Sequence, residues 1–529
     1  MRLRLPLVAV TALVAVAAAA ACSPSAPSES AAQGGDKNAT LTIATTTDVV
    51  NFNPLLGNSR TDGWITNLMY PRLLTIDANG AKQPYLAADR GYSDPTTGFY
   101  ELRGDLKWSD GTAVSAADVA YTINTIMTKK PAGNVVYGQL ANVESASAPT
   151  ATRVELKLKR PDATVVDEVG FWMNVVPKHV FEKAPDAGTF ANNSDWVSAG
   201  PFKLTTVAKG QSYTLERVTP YPMAPAGTPN VAKVVYRVYP DVNTEILALR
   251  NGDVDLIANA LPPAQVKTLQ STPGVKVQEI PGLGYAHMTY NMTRKPLDNL
   301  KVRQALAHAV DYEAIRSVVL QGQAVTTGSS PIPPVLKDFV KPDLKEYAFD
   351  PALARKLVTE SGVGTLRPLT MIYSLQDAVT SQWAQLVKDN AAQAGITIEL
   401  QGMDRNTYLA KTAAGEYDIY AGNFAIMDDP ATNMALTFLP DGAINYTKVD
   451  DPALSALITK ATATTDKAAQ KDLIWQAATL VHDNVYDNVM YMQNLYVAHS
   501  DKWDGFVVKP SELLSVVDPQ SLANARKVG

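Results

Sequence analysis

Strand-like runs alternate with capped helices along nearly the whole of this chain, and that alternation limits its fold more than any other feature of the sequence. The runs ATLTIATTT (39–47), RVELKLK (153–159), SYTLERV (212–218), KVVYRVY (233–239), LTMIYS (369–374) and ITIELQG (396–402) show period-two alternation or β-branched enrichment. Helix starts are written between them. Ser115 and Asp118 form a capping box before VAYTINTIM, and Asp350-Pro351 and Asp451-Pro452 each set a capping carboxylate before proline at the first helical position. Gly362 stops the helix that Pro351 begins. In 298–321 the spacing of Val302, Ala305, Leu306, Ala309 and Val310 predicts a helix with that face in a core. A helix over 381–394, Gly395 and a strand over 396–400 make one α/β unit. No fixed-period repeat runs through the body, which argues against a solenoid or propeller. The expected class is α/β, and 529 residues are too many for one core, so two or three domains are expected.

The N-terminus reads as an export signal. Arg2 and Arg4 precede a run from Leu5 to Ala21 that is apolar apart from Pro6 and Thr11. The run is short and alanine-rich for a spanning helix. Ala19, Ala20 and Ala21 before Cys22, the only cysteine, resemble a bacterial lipobox, in which the thiol is acylated and becomes the new N-terminus. An ordinary signal peptide with an incidental cysteine is the alternative. A lone thiol in an exported chain has no disulfide partner, which favours the lipid-bearing role. Residues 23–38, SPSAPSESAAQGGDKN, lack aromatic and branched aliphatic side chains and predict a flexible tether with a reach of roughly 22 Å. The expected layout is signal 1–21, lipid-anchored linker 22–39, and a body held at the outer face of the plasma membrane.

Composition and motifs narrow the function. A net charge of −5 provides no basic field for nucleic acid, and 46% hydrophobic residues are ordinary for a globular body. There is no G-x-S-x-G, H-E-x-x-H, Walker loop or C-x-x-C. His179, His287, His308, His482 and His499 are scattered without ligand spacing, so neither a metal site nor a cofactor is expected. Asp450-Asp451 serves as a turn and cap; Asp428-Asp429 is either a structural turn or a ligand contact. A large exported body without catalytic motifs can bind without reacting.

YELRGDLKWSDGTAVSAADVAYTI, residues 100–123, resembles the signature of the extracytoplasmic solute-binding proteins of family 5, the peptide and nickel class serving ABC importers. The matching residues are Leu102-Arg103, Lys107, Trp108, Asp110-Gly111 and Ala117-Asp118-Val119, read as a strand ending at Trp108, a turn at Asp110-Gly111 and a helix capped by Ser115. Five more stretches resemble the family in its order: TDVVNFNPL (47–55), SAGPFKL (198–204), NTEILALRNGDVDL (243–256), YNMTRKPLDNLKVRQALAHAVD (290–311) and AGEYDIYAGNFAIMDDPAT (414–432). The resemblance implies a two-lobed periplasmic-binding-protein-like fold of type II, in the large three-domain subclass. Its domain I would comprise 40–75, 199–290 and 500–529, its inserted domain II 76–198, and its C-terminal lobe, domain III, 291–499. Crossovers near Gly284 and His499 would form the hinge.

The resemblance also implies a function: an ABC importer's substrate-binding lipoprotein, a monomer, capturing an oligopeptide or dipeptide between the lobes for permease subunits. Peptide-binding relatives carry Gly-Trp and then an aspartate that pairs with the ligand's α-amine. Here Gly422 is followed by Asn423, and Ile426 stands at the aspartate position. An isoleucine cannot compensate a buried ammonium. Asp428, by a shift of the loop, or Asp48 would then be the substitute acid, and a neutral or sugar-like ligand stands close behind peptide. An exported hydrolase and a surface receptor are the other readings. The expected contacts are Thr46 and Asp48 in the first loop, Tyr285 and Asn291 by one crossover, Asn423, Phe424 and Asp428 in the second lobe, and Tyr491 and Asn494 before the last crossover. Aromatic faces and amides suit an organic solute.

Overall fold

The computed structural model describes residues 36–57, 59–424, 427–510 and 515–528. Cys22, the signal and linker, and Ile426 lie outside the described residues.

The first sheet has seven strands in the order Val275–Ile280, Leu495–Ser500, Leu256–Ile257, Thr40–Thr45, Lys233–Val238, Ser212–Arg217, Phe202–Ala208. Thr40–Thr45 runs parallel to both of its neighbours, and the flanking pairs are antiparallel. The second sheet has six strands, Ala324–Val325, Asp487–Gln493, Tyr285–Tyr290, Ile419–Phe424, Leu369–Ser374 and Ile398–Met403, the last three parallel. A four-stranded antiparallel sheet, Ala87–Asp94, Thr97–Leu102, Arg153–Leu158 and Val143–Ser147, packs against the helix Ala116–Lys129. A ribbon of Leu74–Ile76 and Lys82–Pro84 precedes it in the chain.

The local signals act where they were read. Ser115 and Asp118 form the capping box of Ala116–Lys129, and Asp350 and Asp451 cap Pro351–Glu360 and Pro452–Ala463 through their side chains. Such a cap stabilises its helix by about 1 kcal/mol. Val302, Ala305, Leu306, Ala309 and Val310 are buried against the second sheet's core, although the helix closes at His308 and the chain continues through a π turn, Ile315–Val319. The helix expected at 381–394 is Ala378–Gln393, begun early because Asp377 caps it, and the following strand is Ile398–Met403.

Two expectations are corrected. The strand read as ending at Trp108 ends at Leu102; beyond it Lys107 bridges only Ala113, and the Trp108 N–H donates to Thr112 O at 2.8 Å around the Asp110-Gly111 turn. The return crossover is at Asn494, not His499. Asp487–Gln493 belongs to the second sheet and Leu495–Ser500 to the first, where His499 pairs with Leu256 and Lys276. By strand membership the C-terminal lobe's sheet therefore starts at Tyr285 and stops at Gln493, rather than spanning 291–499. The two strands lie almost end to end in sequence, so an unbroken β pattern hid the passage between sheets.

Candidate functional site

In open parallel sheets, loops at the carboxyl ends of the strands form the binding crevice. The two large sheets supply such loops from either side of a double crossover. In the first lobe, Thr46–Asp48 follow Thr40–Thr45, and Asn259 follows Leu256–Ile257; the Thr46 N–H donates to Asn259 Oδ1 at 3.1 Å. Thr45 and Thr47 hydroxyls meet Thr61 Oγ1 at 2.7 and 2.6 Å, fixing the loop to helix Arg60–Met69. Val50 stands 67% exposed at the end of this loop.

Asp48 is not an uncommitted acid. Its carboxylate accepts from the Tyr213 hydroxyl and from Gly210 N–H at 3.1 Å. Partial burial pushes its pKa up, but these donors outweigh that and hold it below the ordinary value.

In the second lobe, the loops after Leu369–Ser374, Ile398–Met403 and Ile419–Phe424 carry Leu375, Arg405 and the Asn423–Phe424 end. Leu375 is 60% exposed, and Asn423, also exposed, donates to Asp377 Oδ2 at 2.9 Å. Behind them is a bank of rings: Tyr408 to Tyr420 at 5.4 Å, Tyr420 to Tyr446 at 4.5 Å and Tyr446 to Phe424 at 6.0 Å. Burial lifts the Tyr420 and Tyr446 phenol pKa values, and the Arg405 cation pulls against it. The same cation reaches the first lobe. Arg60 is pushed down to about 10, first by burial and then by Arg405.

Tyr285 is buried at the edge of this bank, with its ring 5.4 Å from Phe424 and its hydroxyl donating to Asp487 Oδ2 at 3.0 Å. Asp487 also holds His287 Nδ1 at 2.9 Å, which leaves His287 Nε2 without a partner among the described residues; the imidazole and Phe424 ring centroids are 4.1 Å apart. His287 and Asp487 were not among the expected site residues. The available signal was period two: His287 shares a strand face with Tyr285.

Three expected contacts have internal duties instead. Asn291 is buried in a turn, its amide donating to Gly415 O at 3.0 Å and its Oδ1 accepting from Thr293 N and Oγ1. Tyr491 lies in the core on the opposite face of the sheet from Tyr285. Asn494 binds the crossovers together: its amide donates to Glu279 Oε1 at 2.5 Å, and its Oδ1 accepts from Gly282 N–H at 3.3 Å.

Asp428 already holds an ammonium, and it comes from this chain. Lys82, on the ribbon before the four-stranded sheet, ion-pairs with Asp428 and lies 3.6 Å from Glu168 Oε1, with the Lys82 and Asp428 side chains only 7% and 3% exposed. Burial alone would lower the Lys82 pKa; the Asp428 and Glu168 carboxylates outweigh it and hold it above the ordinary value. Glu168 is raised by burial first and by the Asp428 charge second. Phe171 closes the pocket with its ring centroid 4.1 Å from Lys82 Nζ. The sequence contained no local signal for this pairing. Among the described residues no group of three or more His, Cys, Asp or Glu is arranged to hold a metal ion.

The same arrangement of lobes recurs in known proteins. The oligopeptide-binding protein OppA of Bacillus subtilis is 24% identical over 515 residues, covering 91% of this chain and 90% of that one. The dipeptide-binding protein of Escherichia coli is 24% identical over 492 residues, 87% of this chain and 90% of its own. The crystal structure of the ABC transporter substrate-binding protein CtaP from Listeria monocytogenes superposes with a TM-score of 0.82 at 23% identity, over 93% of this chain and 100% of that one. The profile of the bacterial extracellular solute-binding proteins, family 5, matches residues 83–445, more than half the chain. With that match and the two-lobed fold, this chain belongs to the family 5 extracellular solute-binding proteins.

Proposed function

We propose that this protein is the receptor of an ABC importer that takes a peptide between its lobes and delivers it unchanged to permease subunits. The observation that carries the reading is the pair of strand-end loop sets, Thr46–Val50 with Arg60 on one side and Leu375, Arg405 and Asn423–Phe424 on the other, joined by two abutting crossovers. Relatives named as oligopeptide- and dipeptide-binding proteins support peptide as the ligand class. Closure about the crossovers removes water from the polar contacts within and strengthens them. Mass spectrometry of solute released on denaturing the purified protein tests the ligand class directly. Recovered peptides support it; a single non-peptide solute overturns it.

The Lys82–Asp428 pair favours a particular kind of peptide recognition. Asp428 neutralises an internal ammonium, so it does not anchor the ligand's amine. Trialanine and N-acetyl-trialanine are therefore expected to bind within about threefold of one another. A hydrogen bond to a charged amine is worth about 1.5–3 kcal/mol, so a free-amine preference above tenfold would contradict this. The same pairing gives a second reading, a neutral or sugar-like ligand, its one supporting observation.

Anchoring is part of the proposal. Acylation of Cys22 would hold the body at the outer membrane face, and no helix among the described residues is long and apolar enough to span a bilayer. In a lipid-modifying bacterial host, the wild-type chain should fractionate with membranes and Cys22→Ala should not. Equal solubility of the two, with neither carrying lipid, would refute the anchor.

A further inference from the structure

One hollow lies away from the loops of the second lobe. It has a cavity volume of about 120 Å³, opens to solvent, and is walled by the segment Pro54–Gly57, helix Arg60–Met69, the segment Gly133–Val136 and the end of helix Val165–Trp172. No residue of the second sheet or of its helices lines it. That is room for one small ring compound, since an apolar cavity of roughly 150 Å³ accepts benzene.

The walls are fixed in place. The Gly57 N–H donates to Ala132 O at 2.8 Å, and Asn134 Nδ2 donates to Leu55 O at 2.7 Å. A Cβ on Gly57 would sit 2.3 Å from Gly133 O, so only glycine allows the two segments to approach this closely. Leu56, Ile126, Val135 and Trp172 make an apolar body to the hollow.

Its polar end is a single cation. Arg72 is the only charged residue of the lining. Its Nε donates to Asn67 Oδ1 at 3.2 Å and one terminal nitrogen to Phe171 O at 3.0 Å, while the other terminal nitrogen has no acceptor among the described residues. Both of these acceptors are neutral. Asp518 and Asp428 act on Arg72 only at longer range, and burial pushes its pKa down to about 10. The Asn174 amide is committed to Tyr70 O at 2.8 Å, but the Asn67 amide nitrogen, beside Arg72, has no acceptor among the described residues. A half-buried guanidinium with no carboxylate in direct contact can still take an anion placed against its free terminal nitrogen.

We propose that this hollow is a second binding site, separate from the interlobe cleft, for a small carboxylate with a flat apolar body, the carboxylate meeting Arg72 and the Asn67 amide and the body lying between Leu56, Val135 and Trp172. The site does not depend on what the cleft binds.

Phenylacetate, with neutral phenylacetamide as control, is a suitable probe, titrated calorimetrically into the purified full-length protein. Phenylacetate is expected to bind at least tenfold more tightly than phenylacetamide. Val135 is 62% exposed, so Val135→Glu perturbs no packing while placing a like charge at the mouth. It should weaken phenylacetate at least fivefold more than it weakens phenylacetamide. Arg72→Gln should reduce phenylacetate to the phenylacetamide level. Absence of phenylacetate binding at millimolar concentration, equal affinity for the two probes, or a Val135→Glu protein that binds phenylacetate as wild type does would each overturn the proposal. The Val135→Glu arm decides the matter even if Arg72→Gln does not fold.

Discussion

Lys82 concentrates the residue-scale physics of the contact between the ribbon before the four-stranded sheet and the second lobe. It sits between two carboxylates, Glu168 and Asp428, with all three side chains buried. Removing one partner of a buried pair strands the other, at a cost of about 3–5 kcal/mol. Lys82→Met should therefore destabilise the protein on that scale in urea unfolding, because it strands two carboxylates. Asp428→Asn should cost less, about 1.5–3 kcal/mol, since Glu168 still receives the ammonium. The reverse order would contradict the shared-cation description. In sequence Asp428 reads only as a turn or a ligand acid, because its partner stands 346 residues earlier and nothing local marks it. Tyr285 was legible as a strand residue near a crossover, whereas the Asp487 that binds both it and His287 comes from the far end of the lobe.

Asp418 supplies a pH test at the same scale. Burial pushes its pKa up, but Arg367, Thr370 N–H and Arg294 outweigh burial and hold it down at about 2. The folded value lies below the ordinary 3.8, so the contribution to stability is fully present above pH 3.8 and is lost as pH falls toward about 2. Arg367→Gln should raise the midpoint of acid unfolding and cost more stability at pH 7, where the carboxylate's contribution is complete, than at pH 3, where part of it is already lost. An unchanged acid midpoint would show that Arg367 contributes little to the carboxylate's ionisation.

At the scale of elements, the passage between sheets is held by backbone proximity. Gly282 faces Gln493 so closely that a Cβ there would lie 2.1 Å from Gln493 O, and Asn494 accepts the Gly282 N–H. The Met427 N–H donates to Leu283 O at 2.7 Å, which ties the loop carrying Asp428 to the same crossover. Gly282→Ala should therefore separate the two crossovers, costing about 1–3 kcal/mol of stability by overpacking and impairing ligand-driven closure. Wild-type stability and closure in that variant would remove this contact from the hinge. Helix starts were legible because a cap and its target lie within three residues. The return crossover was not, because Asp487–Gln493 and Leu495–Ser500 form one uninterrupted extended run, and only their pairing partners, distant in sequence, assign them to different sheets.

At the scale of the whole molecule, two sheets with facing strand ends, joined by crossovers at 281–284 and Asn494, make a body whose lobes can rotate about a short axis. The α/β class and the two-lobed family were legible from element order and from motifs spread along the chain. Of the expected contacts, Thr46, Asn423 and Phe424 lie at strand ends, while Asn291, Tyr491 and Asn494 serve turns, core and crossover through partners distant in sequence. The proposed receptor role requires the lobes to close on a ligand, and the single cysteine makes such a motion measurable. In a Cys22→Ser background, dyes at Val207→Cys in the first lobe and Val363→Cys in the second, both exposed positions, report the distance between lobes by single-molecule energy transfer. Adding a tryptic digest of casein should populate a high-transfer state that dialysis reverses. Peptides retained on the protein, verified by mass spectrometry, with an unchanged transfer distribution would contradict a receptor that closes on its ligand.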